Sequence, residues 1–230
     1  MRSLLLLVIL LIPVLDSYSQ VPTYYQTSKG AEDNFNRIIN ITPYSPGGMG
    51  FDTRFEGVKG SPRLFEKLLP SFLLMEGQND YYKLVTDIDL YQNRLMFNHP
   101  KTGKLLSIPA DFVVEVIIKT DSSDTVFRTT AKYKFEKEFK EVKFFQVLND
   151  GPYQLIKMPL KTLNEADYKQ VYGVDRRYDE FETSYKYFIL GSDNIFHPLL
   201  LNKKSLNKIF PDKKSLIESI VASSTYKNDE

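Results

Sequence analysis

The chain has 230 residues, Lys+Arg 30 against Asp+Glu 29, and a net charge of +1. That balance argues against a nucleic-acid partner, which calls for a basic excess. The absence of cysteine excludes disulfides, thiol catalysis and Cys-ligated zinc.

The N-terminus reads as an export signal. Arg2 supplies a positive start, residues 4–12 are unbroken apolar sequence, Pro13 ends the run, and Ser17 and Ser19 are the small residues a signal peptidase reads. The run is too short for a bilayer span, which needs ~20 residues. The expectation is a removable signal peptide over 1–19 and a soluble, exported chain starting at Gln20. Its destination is the periplasm or the extracellular space. Gln20 stands where a bacterial lipoprotein carries its lipidated cysteine, so no acyl anchor is expected, and no later apolar run reaches membrane-spanning length.

Residues 20–60 are broken by Pro43, Pro46, Gly47, Gly48, Gly50, Gly57 and Gly60. They read as an irregular arm with one short helix near 31–39. From 61 to 201 an antiparallel β domain is expected. Its strands fall at 72–76, 82–90, 95–97, 105–108 and 112–119, the last continuously β-branched and therefore central. The clearest period-two alternation covers 127–136. Two hairpins follow, 142–148 with 153–158 around Asn149-Asp150-Gly151, and 185–190 with 195–201 around Gly191-Ser192-Asp193-Asn194. A helical insertion is expected near 163–180, capped by Asn164 and stopped by Gly173. Helices are expected over 202–222, one beginning near Asn202 and one capped by Asp212, with Leu216, Ile217, Ile220 and Val221 as an apolar stripe. Residues 223–230 read as a disordered tail. The aromatic fraction of 13%, without tryptophan, suits β structure. The fold class is mainly β (α+β): an antiparallel, half-barrel-like meander with a C-terminal helix packed on it.

Chemistry-bearing residues are sparse. His99 and His197 each precede a proline and share no metal-ligand spacing, so they read as turn and strand residues. Asp87 and Asp89 lie on one face of a strand, roughly 6.5–7 Å apart at the strand rise. They could hold calcium or act as an acid–base pair, although an exposed strand face with Ile88 pointing inward explains them more simply. Asp175, Arg176, Arg177, Asp179 and Glu180 form a mixed-charge cluster read as a solvated loop. Gly57-Val58-Lys59-Gly60-Ser61 lacks the adjacent Gly-Lys-Ser/Thr of a phosphate loop and reads as a turn. Tyr24, Tyr25, Tyr44, Tyr168, Tyr172 and Tyr178 fall in loops, and exposed tyrosine often marks a binding surface. The candidate surface is Tyr168, Tyr172, Arg176, Arg177 and Tyr178. No catalytic set, cofactor or metal site is expected.

Four segments carry a family resemblance: Gly60-Ser61-Pro62-Arg63-Leu64-Phe65, Asn98-His99-Pro100-Lys101-Thr102-Gly103-Lys104, Phe144-Phe145-Gln146-Val147-Leu148-Asn149-Asp150-Gly151, and Lys204-Ser205-Leu206 leading to Phe210-Pro211-Asp212-Lys213-Lys214. Through them the chain from Gly60 onward resembles a broad family of exported envelope proteins of Bacteroidota-type bacteria. The resemblance implies a β-rich envelope protein with a C-terminal helix, and it brings no activity or catalytic residues. The arm before Gly60 and the 163–180 insertion lie outside it. The functional expectation is a non-enzymatic periplasmic protein that binds an envelope protein or glycan. The alternatives are a small-ligand or glycan binder with aromatics lining a concave sheet, and a hydrolase using Asp87 and Asp89 or a histidine.

Overall fold

The computed structural model describes residues 27–41, 55–135, 139–166 and 178–223. The expected signal segment and tail, Tyr24, Tyr25 and Tyr44 lie outside them.

One mainly antiparallel sheet organises the described residues. Its strands are β1 (Leu69–Met75), β2 (Tyr82–Asp89), β3 (Arg94–Asn98), β4 (Leu105–Pro109), β5 (Val113–Lys119), β6 (Asp124–Thr129), β7 (Lys134–Phe135), β8 (Phe144–Val147), β9 (Gln154–Asn164), β10 (Glu180–Leu190) and β11 (Ile195–Leu199). Their order is β4-β3-β2-β1-β5-β6-β8-β9-β10-β11-β7, and only β7–β11 is parallel. Helix α1 (Lys29–Ile41) precedes the sheet, and α2 (Lys203–Ile209) and α3 (Lys214–Ser223) follow it. The mainly β class, the C-terminal helices and both hairpin turns therefore match the sequence reading.

Cross-strand register assigns the two faces. Leu73 opposes Val116, Val116 opposes Phe127, and Ile88 opposes Leu95, so these side chains share one face. Helix α1 covers that face, burying Phe35, Ile38 and Ile39 among them. The Phe35 ring stacks on Tyr82 at 4.4 Å and meets Phe97 edge-on at 5.0 Å. The short helix expected near 31–39 thus runs over Lys29–Ile41 and belongs to the core, a role not read from the sequence. Further along the same face, Leu206 of α2 and Ile217 of α3 pack on Leu155, Ile189 and Leu199. Leu216, expected in the apolar stripe, is instead 43% exposed, because α3 turns Ile217 toward the sheet. Asp212 does not cap α3; it sits in a single 3-10 turn over Pro211–Lys213.

The alternation read over 127–136 is interrupted. Thr129 ends β6, its hydroxyl donating to the Val113 carbonyl at 2.6 Å, and a 3-10 turn over Thr130–Lys132 follows. Tyr133, Phe135 and Phe139 then cross onto the opposite face, where they pack with Phe145, Ile156, Met158, Phe188, Leu190 and Phe196. Period-two patterning survived because each half of the segment buries alternate residues, but in different clusters.

The sheet also curls. β2 and β10 stand six steps apart in the strand order, about 29 Å if the sheet were flat. Lys59 nevertheless pairs with Glu180 of β10, and Arg63 pairs with Asp89 of β2. The chain from Lys59 to Arg63 can reach at most about 14 Å, so the two strands must approach each other. Phe55, Tyr91 and Phe181 meet edge-on at this junction, with centroids 4.9–5.7 Å apart. The open sheet is thereby clipped into a near-ring by backbone bonds on both sides of Gly60.

Candidate functional site

Asp87 and Asp89 do share a face, but it is not exposed: both residues are 0% accessible. The cause is a looped excursion. Arg63 lies opposite Asp89 and Leu69 opposite Thr86, so residues 64–68 on one side face only Asp87 and Ile88 on the other. The surplus chain folds over the carboxylates. Asp87 accepts from Arg63 Nε at 2.8 Å, from the Phe65 N–H at 3.1 Å and from the Ile88 N–H at 2.7 Å. Burial pushes the Asp87 pKa above the ordinary carboxylate range, and Arg63 and the two N–H donors oppose that rise without cancelling it. Asp89 accepts the Gln92 N–H at 2.8 Å, closing the turn after β2. The two carboxylates are thus engaged by backbone and an arginine.

His99 is the turn residue its neighbours suggested, its Nδ1 accepting from the Lys101 and Thr102 N–H groups at 3.1 and 3.3 Å. His197 on β11 reaches Asp193 Oδ2 through Nε2 at 3.0 Å. Asp193 is held below its ordinary value, first by the Ile195 N–H and then by His197. The two histidines belong to separate elements, a turn and strand β11. Among the described residues no group of three or more His, Asp or Glu side chains is placed to hold a metal.

A polar network that sequence reading missed crosses the other face. Glu115 of β5 and Arg128 of β6 are direct cross-strand partners, joined at 2.7 Å. Tyr81 donates to the second Glu115 oxygen at 2.6 Å. For Arg128, burial works against the charge, but Glu115 and Tyr133 outweigh it and hold the pKa above its ordinary value. Glu115 and Arg128 occupy alternating positions that pair only once the register is known, so no local spacing signals them.

The tyrosine-bearing candidate surface falls at the end of a long ribbon. β9 and β10 pair through eleven residues each, from Gln154↔Leu190 to Asn164↔Glu180. β8 flanks β9 only near Ile156 and Lys157, and β11 flanks β10 only from Tyr187. The rest runs on as two strands until Lys59 meets its far end. Asn164, expected to cap a helix, is instead the last residue of β9, its amide donating to Glu182 at 2.9 Å. Tyr168, Tyr172, Arg176 and Arg177 lie outside the described residues, as does most of the expected 163–180 helix. Tyr178 is 65% exposed, and Asp179 closes the base of the insertion by accepting the Ala166 N–H at 2.7 Å. Along the ribbon Tyr185 is 47% exposed, with the Lys157 ammonium 4.2 Å from its ring centre.

Two surface clefts adjoin these elements. One of about 400 Å³ is lined by Asn164, Glu180, Phe181, Glu182 and Thr183. The other, of about 410 Å³, lies between the start of α1 and β2, at Thr27, Ser28, Lys29, Glu32, Tyr82 and Lys83. The first is largely polar and the second mixed, and three apolar clusters pack against the described sheet faces. No helix among the described residues is long and apolar enough to cross a membrane. No protein-family model, curated protein or solved structure matches the chain.

Proposed function

We propose that the protein acts outside the cytoplasm as a non-enzymatic binder of another cell-envelope component. The export reading of residues 1–19 and the resemblance from Gly60 onward support the compartment. The observation that carries the binding reading is the β9–β10 ribbon. It holds Tyr185 out in solvent, and Tyr178 is exposed just before β10 begins. Tyrosine suits that role because it supplies a large, stiff contact area with a polar tip.

The test is residue-specific crosslinking in intact cells, with a photoreactive phenylalanine in place of Tyr178. The expected result is one dominant adduct, an envelope protein or a glycan, that unlabelled protein competes away. A second position at Leu200, which is 70% exposed on another part of the surface, should not give it. Equal adducts from both positions would overturn the assignment of the surface. Turnover of glycan, peptide or ester substrates by the purified protein would overturn the non-enzymatic reading.

A further inference from the structure

We infer that the outer edge of β10 between Glu182 and Lys186, which no described residue occupies, accepts one short extended segment of a partner protein as an added strand. This deepens the binding reading above by naming the site and the class of partner.

The bonds at the far end of the ribbon fix which backbone groups face outward. Lys59 N–H donates to the Asp179 carbonyl at 2.8 Å, and Phe181 N–H donates to the Lys59 carbonyl at 2.9 Å. Odd-numbered residues of β10 therefore point away from β9 here, and strand alternation carries this on to Thr183 and Tyr185. The rule is checked at the other end, where β11 joins. Pro198, which has no N–H, stands opposite even-numbered Phe188, where none is needed. Pro159 of β9 stands opposite Tyr185, again at a position turned away from the partner strand. The N–H and C=O groups of Thr183 and Tyr185 consequently face a row that no described residue occupies.

That row is a gap with two ends. Lys59 fills it at Glu180 and β11 fills it from Tyr187. At the strand rise the opening from Phe181 to Tyr187 is about 20 Å, which admits about five residues. The length selects the occupant. The β10 edge of a second copy cannot enter, because its strand continues in both directions and would run into β11 at one end and Lys59 at the other. A flexible segment that enters and leaves within a few residues fits.

Charge selects further. The cleft of Asn164, Glu180, Phe181, Glu182 and Thr183 lies at this end of the ribbon. Glu180 already pairs with Lys59 at 2.9 Å, whereas among the described residues Glu182 takes a hydrogen bond from the Asn164 amide. A basic side chain on the docked segment would complement Glu182, and the neighbouring side chain on the other face would lie along Tyr185. Strand addition of this kind draws affinity from the backbone and specificity from alternate side chains.

The test uses the full chain and an acetylated, amidated heptapeptide alternating valine and lysine, with a valine–glutamate peptide as control. Amide exchange is read by NMR. The Thr183 and Tyr185 amides should exchange freely in the protein alone, and slow at least tenfold with the lysine peptide but not with the glutamate peptide. Thr183→Pro removes an N–H that β9 does not use, so the ribbon should persist while peptide affinity falls at least tenfold. Should that variant unfold, Glu182→Lys keeps the test sharp by reversing the preference toward the glutamate peptide. Slowing with neither peptide, or equal slowing with both, would overturn the inference. So would amides already protected in the protein alone, meaning the edge is filled from within, or self-association that Thr183→Pro abolishes. A specific partner crosslinked from Tyr178 alongside failure of both peptides would remove strand addition and leave the binding reading standing. Peptide binding with no specific crosslink would do the reverse.

Discussion

Asp87 is a charge placed where water cannot reach it, and its value to the fold lies in the donors it satisfies. Asp87→Ala would leave Arg63 unpaired and orphan the Phe65 and Ile88 N–H groups. A loss of about 3 kcal/mol is expected, read by urea unfolding. Asp87→Asn keeps an acceptor oxygen for those N–H groups and should cost about 1 kcal/mol. The pH dependence has a definite sign. The folded-state pKa is raised, so the folded protein holds this proton more tightly than the unfolded chain does. The group's contribution to stability is complete below the ordinary value of 3.8 and is lost as pH rises through the raised value. The stability difference between the wild type and Asp87→Asn should therefore grow in favour of the variant over that interval. A difference independent of pH would sink this account. Period-two spacing was enough to put Asp87 and Asp89 on one face. It could not give their burial, because the covering residues 62–65 come from a segment with no periodicity, and only tertiary pairing brings them there.

Among the elements, α1 is expected to behave as core. Phe35 is fully buried between Tyr82 and Phe97, so Phe35→Ala should cost about 4 kcal/mol in chemical denaturation. A loss under 1 kcal/mol would mean that the helix is peripheral. The clip at Gly60 is likewise testable. Gly60 has φ +78, and a Cβ there would lie 3.3 Å from the Phe181 carbonyl oxygen. Gly60→Ala should destabilise by about 1–2 kcal/mol. The hairpins and the central strand β5 were legible because turn residues and β-branched runs act locally. The true length of β9 was hidden by Pro159, which reads as a stop until the register turns its nitrogen away from β10. The break after Thr129 was hidden for the opposite reason: alternation continued through it, while the cluster being filled changed. The stretch of β10 that no described residue pairs with on its outer side carries Glu182 and Lys186, both exposed, and edge charges of this kind discourage indiscriminate strand pairing.

At the scale of the whole molecule, a half-barrel-like sheet was legible from the strand pattern, but not the means of bending it. The bend depends on Lys59 and Arg63, which sit in glycine-rich sequence and carry no strand signal. Phe181→Ala should loosen the junction of Phe55, Tyr91 and Phe181. Amide exchange should then quicken together at the β2–β3 turn and the start of β10, while β5 and β6 keep their protection. Exchange confined to the mutated strand would argue against a clipped sheet. The parallel pair at the sheet's far edge adds a constraint of a different kind, one of time. Lys134 and Phe135 of β7 lie before β8 in the chain yet pair with Ile195 and Phe196 of β11. On a ribosome, β7 emerges long before its partner exists, and Tyr133, Phe135 and Phe139 must wait with their rings uncovered. Their cover is complete only once β11 is in place, so the second half of this sheet exposes apolar rings for as long as its last strand is missing.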